Sequence, residues 1–460
     1  MADARSSALK YAKDNRAKFL KEVGELVAIP SVSADSAHKQ DILRAAGWLE
    51  KKLKSLGFEN VKSMDTGGHP IVFGDWMKAG TEAPTMLVYG HYDVQPEDPL
   101  DLWESKPFET VQKGEYLVGR GTSDMKGQVI ASIAAVESAL QAGVVPVNIK
   151  WMIEGEEEMG SGSMENFIKD NAKTFACDFA LNPDAGMLAA DQPTLTYGLR
   201  GLAYFEIHLT GPDKDLHSGY FGGAVRNPGN ELSRLIAGMH DEKNRVTLPG
   251  FYDSVRDLDK EERAEFKRVP HTSDADYARE AGVSGLWGEV GYTAFERATS
   301  RPTLEVNGIL TGYTGEGPKT VLPSKAMAKV SCRLVANQSP KEVEQQMIAY
   351  MKENCHSAVT WDVKMISDGD AVISERNSRE MQAMSKALET VWGKKTIFRR
   401  EGGTISAVAY MQNVLDAECV NTGFGLPDDL IHSPNEHMHV PTWEKGIDAL
   451  IHFIYNLGEG

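Results

Sequence analysis

The chain has no long apolar run. The best stretch, Val129 to Val136, is short and is broken by Ser132, far below the roughly 20 residues needed to cross a bilayer. Cysteine is scarce. Cys177, Cys332, Cys355 and Cys419 form no C-x-x-C pair, and four scattered thiols cannot staple a chain of this size. Positive charge is the minority sign: 49 Lys and Arg stand against 66 Asp and Glu, a net charge of −17 at pH 7. Such a surplus repels phosphate backbones and anionic lipid, so no nucleic acid and no membrane is expected as a partner. The first residues, Met-Ala-Asp-Ala-Arg-Ser-Ser, carry no apolar signal-peptide core, which with the free thiols predicts a cytoplasmic protein. Internal repeats and low-complexity segments are absent as well.

What is present is a globular composition. Hydrophobic residues make up 41% and charged residues 25% of 460. One core rarely carries that length, so two or three domains are expected. The acidic surplus excludes anionic partners but is also a supply of metal ligands.

Hydrophobic periodicity predicts the elements. Phe19, Val23, Leu26 and Val27 share one helical face, stopped by Pro30. A second helix is expected over 41–55, with Gly57 at its end. Three short apolar runs read as strands: Thr85 to Tyr89, Val147 to Ile153 and Cys177 to Leu181. A helical stretch, Gly127 to Gln141, lies between the first two. This alternation predicts an α/β domain on a mostly parallel sheet flanked by helices. Each strand runs into a polar loop, and in such sheets ligands collect beyond the carboxyl ends of the strands. From about residue 199 the pattern changes to half-buried alternation, as in Leu202 to Leu209 and Met327 to Leu334. Helix and strand patterns resume near Glu375. The expected organisation is therefore an α/β domain formed by 1–198 and 372–460, interrupted by an inserted α+β domain at 199–371.

Five motifs carry chemistry. Gly90-His91-Tyr92-Asp93-Val94-Gln95-Pro96 pairs an imidazole, a good ligand for a borderline metal, with a carboxylate that can orient it. Gly119 to Gly127 contains Asp124 just before a helix, where an N-cap is the ordinary role. Glu154-Gly155-Glu156-Glu157-Glu158 crowds carboxylates at a strand end. It is either a solvated acidic loop or a place where cations offset the repulsion and one carboxylate serves as base. Asp184 follows the next strand, and His432 follows the acidic turn Pro427-Asp428-Asp429. Together they supply one His and one acidic ligand for each of two metals, plus a shared carboxylate.

In this order the motifs resemble those of the di-zinc metallopeptidase family. It includes carnosinase-like dipeptidases, glutamate carboxypeptidase, aminoacylase, and the acetylornithine and succinyl-diaminopimelate deacylases. The G-H-Y-D-V-Q-P form and the overall length are most similar to the dipeptidase branch. The resemblance implies two divalent ions, zinc or alternatively manganese. His91, Asp124 and Asp184 would hold one; Asp124, Glu158 and His432 the other, with Asp124 bridging. It further implies that Asp93 orients His91, that Glu157 is the general base acting on a metal-bridging water, and that the Asp124–Met125 peptide is cis. The run of three glutamates also admits Glu156 as base and Glu157 as ligand; matching the following Met159-Gly160-Ser161 to the family motif favours Glu157 and Glu158, and Asp178 is an alternative to Asp184.

Outside the metal shell, Leu216-His217-Ser218-Gly219 resembles a motif whose histidine supports the oxyanion across a homodimer interface. Cys332-Arg333-Leu334-Val335 resembles one whose arginine holds the substrate carboxylate. The Thr320 segment and Glu401-Gly402-Gly403-Thr404 resemble substrate-binding loops. The activity so implied is hydrolysis of dipeptides or short peptides with a free C-terminal carboxylate. Deacylation of N-acyl amino acids at the same two-metal site is the rival reading.

Overall fold

The computed structural model describes residues 1–459. The chain forms two compact units. The first comprises Met1–Tyr197, Ser374–Arg399 and the chain from Ile405 onward; the second comprises Gly198–Ile373 and Arg400–Thr404.

The first unit is an α/β layer structure. Four strands at the centre of its sheet are parallel: Asn148–Glu154, Thr85–His91, Phe179–Asn182 and Glu418–Asn421. Two further strands, Glu59–Met64 and Ile71–Trp76, extend one edge in antiparallel fashion. Glu59–Met64 escapes a sequence reading because it is largely exposed and shows no alternation. The parallel strands are buried on both faces, which is why they read as continuous apolar runs. Their register sets His91 beside Glu154 and Asn182 beside Asn421. Four carboxyl ends thus open onto one edge.

The helix Lys126–Gln141 is buried along almost its whole length. It packs against both N-terminal helices, Ala2–Asp14 and Arg16–Val27, and against the C-terminal helix Val440–Asn456. The Trp443 indole donates to Gly127 O at 2.7 Å, tying that last helix to the start of the buried one. Phe19, Val23, Leu26 and Val27 all point inward, as their spacing predicted. Ala407 to Gln412 lies within the helix Ser406–Leu415.

One packing contact makes a sign-sensitive prediction. A Cβ on Gly446 would lie 2.3 Å from the Phe424 ring. In an exposed helix Gly→Ala stabilises by roughly 1 kcal/mol; here overpacking reverses the sign. Gly446→Ala is expected to destabilise by about 1–3 kcal/mol in chemical denaturation. An increase in stability would contradict the tight fit.

The second unit is α+β. Its antiparallel sheet has the order Thr303–Thr311, Lys325–Leu334, Gly201–Thr210, Thr360–Gly369. Gly201–Thr210 alternates buried and half-buried residues along its length. The inward set, Phe205, Ile207 and Val330 among them, packs with Leu232 and Leu235 of the helix Pro228–Ala237 and Met347 of the helix Pro340–Asn354. No helix among the described residues is long and apolar enough to cross a membrane.

Candidate metal centre

The polar residues beyond the parallel strands converge. His91 ends its strand and is fully buried. Its Nε2 lies 3.2 Å from Asp124 Oδ1, and its Nδ1 lies 3.1 Å from Asp93 O and 3.4 Å from Asp93 Oδ1. The other Asp124 oxygen, Oδ2, is 3.0 Å from His432 Nε2. His432 Nε2 is also 3.1 Å from Glu158 Oε2. Asp184 Oδ1 is 3.9 Å and Glu157 Oε2 is 4.0 Å from His91 Nε2. Two triads result, His91–Asp124–Asp184 and Asp124–Glu158–His432, each with its ligand atoms within 4.8 Å of one another. One carboxylate serves both. Asp124 does not cap the following helix: Met125 stands at that position, with no side-chain cap bond.

The run of glutamates is sorted by a turn. Glu157–Met159 forms a short 3₁₀ segment closed by Gly160 at φ +90°. Glu158 joins a triad and accepts from Gln95 Nε2 at 2.8 Å. Glu156 points elsewhere, accepting the main-chain N–H of His69 at 2.8 Å and of Ser163 at 3.3 Å. Asp178 lies at the other end of its strand, where its carboxylate accepts from the Thr85 N–H at 2.6 Å.

Support comes from residues far along the chain. The Glu436 carboxylate accepts the main-chain N–H groups of Gly121, Ser123 and Asp124 at 3.0, 3.1 and 3.1 Å. Arg120 Nη1 donates to its other oxygen at 2.8 Å, and both side chains are almost wholly buried. Ser123 Oγ donates to Asp429 Oδ2 at 2.6 Å. The buried Lys126 ammonium donates to Ile29 O at 2.7 Å. Gly127 permits a close approach, since a Cβ there would lie 2.0 Å from Thr122 O. The Asp124–Met125 peptide is cis. Sequence reasoning assigned no part to Glu436, Arg120 or Asp429. The only signal was that Glu436 and Asp429 flank His432.

The electrostatics follow from this crowding. Burial, with Asp124, Glu158 and Asp93 nearby, pushes the Glu157 carboxyl up to about 7, although His91 opposes the shift. Burial and the charges of Asp124, Glu157 and Glu158 raise Asp184 well above the usual range. Burial acts to raise Asp124, but the two imidazoles hold it well below the ordinary carboxylate value. Hydrogen bonds to Asp124 and Glu158 push His432 up to about 10. For His91, burial is outweighed by Asp124 and Asp93, and its value is raised. Nitrogen and oxygen donors, one carboxylate split between two triads, and an excess of buried negative charge fit two divalent cations.

A family model described as peptidase family M20/M25/M40 matches residues 87–456. The chain belongs to this peptidase family. A Cys-Gly metallodipeptidase, DUG1, of Candida albicans is 30% identical, over 96% of this chain and 95% of that protein. An M20 family metallo-carboxypeptidase of Sulfolobus solfataricus superposes with TM-score 0.82 at 30% identity, covering 96% of this chain and 99% of that one. Human carnosine dipeptidase 1 superposes with TM-score 0.77 at 28% identity, covering 99% of each chain. This M20 peptidase is a metal-dependent hydrolase.

The histidine shifts give a prediction for the M20 centre. A ligating imidazole must be neutral, yet His432 is held near 10 and His91 is raised. Without cations His432 is charged at pH 7, His91 is shifted toward its charged form, and Glu157 and Asp184 toward the protonated form. Cation uptake at pH 7 is therefore expected to release protons, and affinity is expected to fall as pH falls. Calorimetric titration with zinc in buffers of different ionisation heat measures the release; uptake with none would contradict these assignments.

The remaining candidates lie in the second unit. Arg333 Nη1 donates to Thr404 Oγ1 at 2.9 Å, and Thr404 Oγ1 donates to Arg200 O at 2.6 Å. Gly403 is exposed in the same loop. His217 is exposed, accepts the Gly219 N–H on Nδ1 at 3.0 Å, and pairs with Val321 in a two-residue ladder. Thr320 O accepts the Ser218 N–H at 3.0 Å, which sets Thr320 beside the His217 segment.

Proposed function

We propose that this M20 peptidase hydrolyses dipeptides bearing a free C-terminal carboxylate, with zinc as the metal, as a cytoplasmic homodimer joined through its second unit. The observation that carries the reading is the pair of triads sharing Asp124, with Glu157 beside them and in neither. The relatives named as dipeptidases support the substrate class.

His91, Asp124 and Asp184 would hold one cation and Asp124, Glu158 and His432 the other. Bound there, the two cations supply Lewis acidity and lower the pKa of water. Glu157 removes the proton from the attacking water and returns it to the leaving amine nitrogen. Asp93 keeps His91 in one orientation from behind. Arg333, with Thr404 and the Gly403 main chain, takes the substrate carboxylate in the bidentate manner suited to a guanidinium. His217 donates to the developing oxyanion across the dimer interface, and Thr320 borders that contact.

Comparison of a dipeptide panel with N-acetyl amino acids on zinc-loaded protein tests this. Dipeptides are expected to give higher kcat/KM by at least about tenfold. N-acetyl substrates turned over better than every dipeptide would establish a deacylase instead.

A further inference from the structure

A cavity of about 500 Å³ lies in the second unit beside Arg333. Four arginines line it, Arg200, Arg297, Arg301 and Arg333, against two carboxylates, Glu289 and Glu305. Arg301 is neutralised by Glu289 through bonds of 2.7 and 2.9 Å. Among the described residues, the other three guanidiniums and Glu305 form no ion pair. Arg297 donates to the main-chain oxygens of Glu289 and Trp287, at 2.9 and 3.2 Å. Arg200 Nε donates to Gly402 O at 3.2 Å, and Arg333 donates to the Thr404 hydroxyl. After internal pairing the cavity keeps an excess of positive charge, in a chain whose net charge is −17.

Arg200 and Arg333 are neighbours. Burial and the Arg333 charge lower Arg200 to about 10, so both stay cationic at neutral pH. Their loop keeps them close: a Cβ on Gly402 would lie 3.0 Å from Arg200 Nη2, and Thr404 bonds both residues. One α-carboxylate satisfies one guanidinium fork. The second fork is left facing a cavity much larger than a glycine needs, walled in part by Tyr277 and Trp287.

We propose that this cavity receives the side chain of a C-terminal aspartate or glutamate, Arg200 holding the side-chain carboxylate beside the α-carboxylate on Arg333. The proposal rests on the reading of Arg333 as the carboxylate clamp. Glu305 acts on Arg200 through its charge but forms no ion pair with it, so an uncharged isostere leaves that guanidinium with no carboxylate at hydrogen-bond distance, which discriminates against the wrong substrate.

The test uses zinc-loaded enzyme and two matched pairs, Ala-Glu against Ala-Gln and Ala-Asp against Ala-Asn. The acidic member is expected to show a higher kcat/KM by about 10- to 100-fold, the range for a charge-assisted hydrogen bond. Arg200→Met is expected to collapse that ratio, and Arg200→Lys to restore part of it. Equal kcat/KM within each pair, or an Arg200→Met effect equal on both members, overturns the proposal. A binding arm is independent of turnover: glutarate is expected to bind wild type at least tenfold more tightly than pentanoate, by calorimetry, with the difference lost in Arg200→Met. Glutarate preference without hydrolysis of any dipeptide would sink the proposed function and leave the cavity assignment standing. Equal binding of glutarate and pentanoate would sink the cavity assignment.

Discussion

Replacement of Glu157 by glutamine is expected to lower kcat on dipeptides by about 10²- to 10⁴-fold, some 3–5 kcal/mol of transition-state stabilisation, with metal content unchanged. The expectation rests on placement. Glu157 Oε2 is 4.0 Å from His91 Nε2 but belongs to neither triad. It has no ligand duty and no orienting duty in the cluster. Glutamine keeps its shape and removes only its capacity to take a proton. The matched control is Glu156→Gln. That carboxylate is occupied by the His69 and Ser163 main-chain N–H groups, so its loss is expected to change kcat by no more than about threefold. If Glu156→Gln abolishes turnover and Glu157→Gln does not, the base is Glu156.

The second large effect is expected from Asp124→Asn: loss of both cations together, and with them all measurable turnover. The two Asp124 oxygens face different imidazoles, at 3.2 and 3.0 Å. Asparagine offers one oxygen and no charge, so neither triad stays complete. Asp184→Asn and His432→Ala each strike a single triad and are expected to lower occupancy of one ion more than the other. Elemental analysis after dialysis reads the stoichiometry; one full equivalent retained by Asp124→Asn would refute the bridging assignment. The loop itself is held by Glu436 and Arg120 rather than by the Asp124 side chain, so near-UV circular dichroism is expected to stay native. Chelation of wild type has a thermodynamic counterpart. Each of the two cations, at 100 times its Kd, stabilises the folded state by about 2.7 kcal/mol, and that increment is expected to vanish when the metal is stripped.

The members of this centre were legible because each strand and the loop after it are local features. A buried parallel strand is an apolar run, and His91, the glutamate run and Asp184 each follow one. Asp124 and His432 were readable once the strands defined an edge for them to face. Glu436 was not assigned a part, because a carboxylate that accepts three main-chain N–H groups has no signature of its own. Its partners lie more than 300 positions earlier. Arg200 carries no local signal either: nothing in Leu199-Arg200-Gly201 announces that residues 402–404 fold against it.

The sequence by itself therefore determined the fold class and offered the candidate ligands in the order in which they arrive, since periodicity and strand-end chemistry are encoded within a dozen residues. Only the tertiary structure decided which of three successive glutamates turns inward, because a single 3₁₀ turn closed by Gly160 points Glu156 and Glu158 in different directions. It alone divided the two Asp124 oxygens between His91 and His432, and brought Arg200 and Arg333 to one cavity with Thr404 bonded to both residues. Those outcomes depend on contacts between segments remote in sequence, and no local pattern specifies such distances.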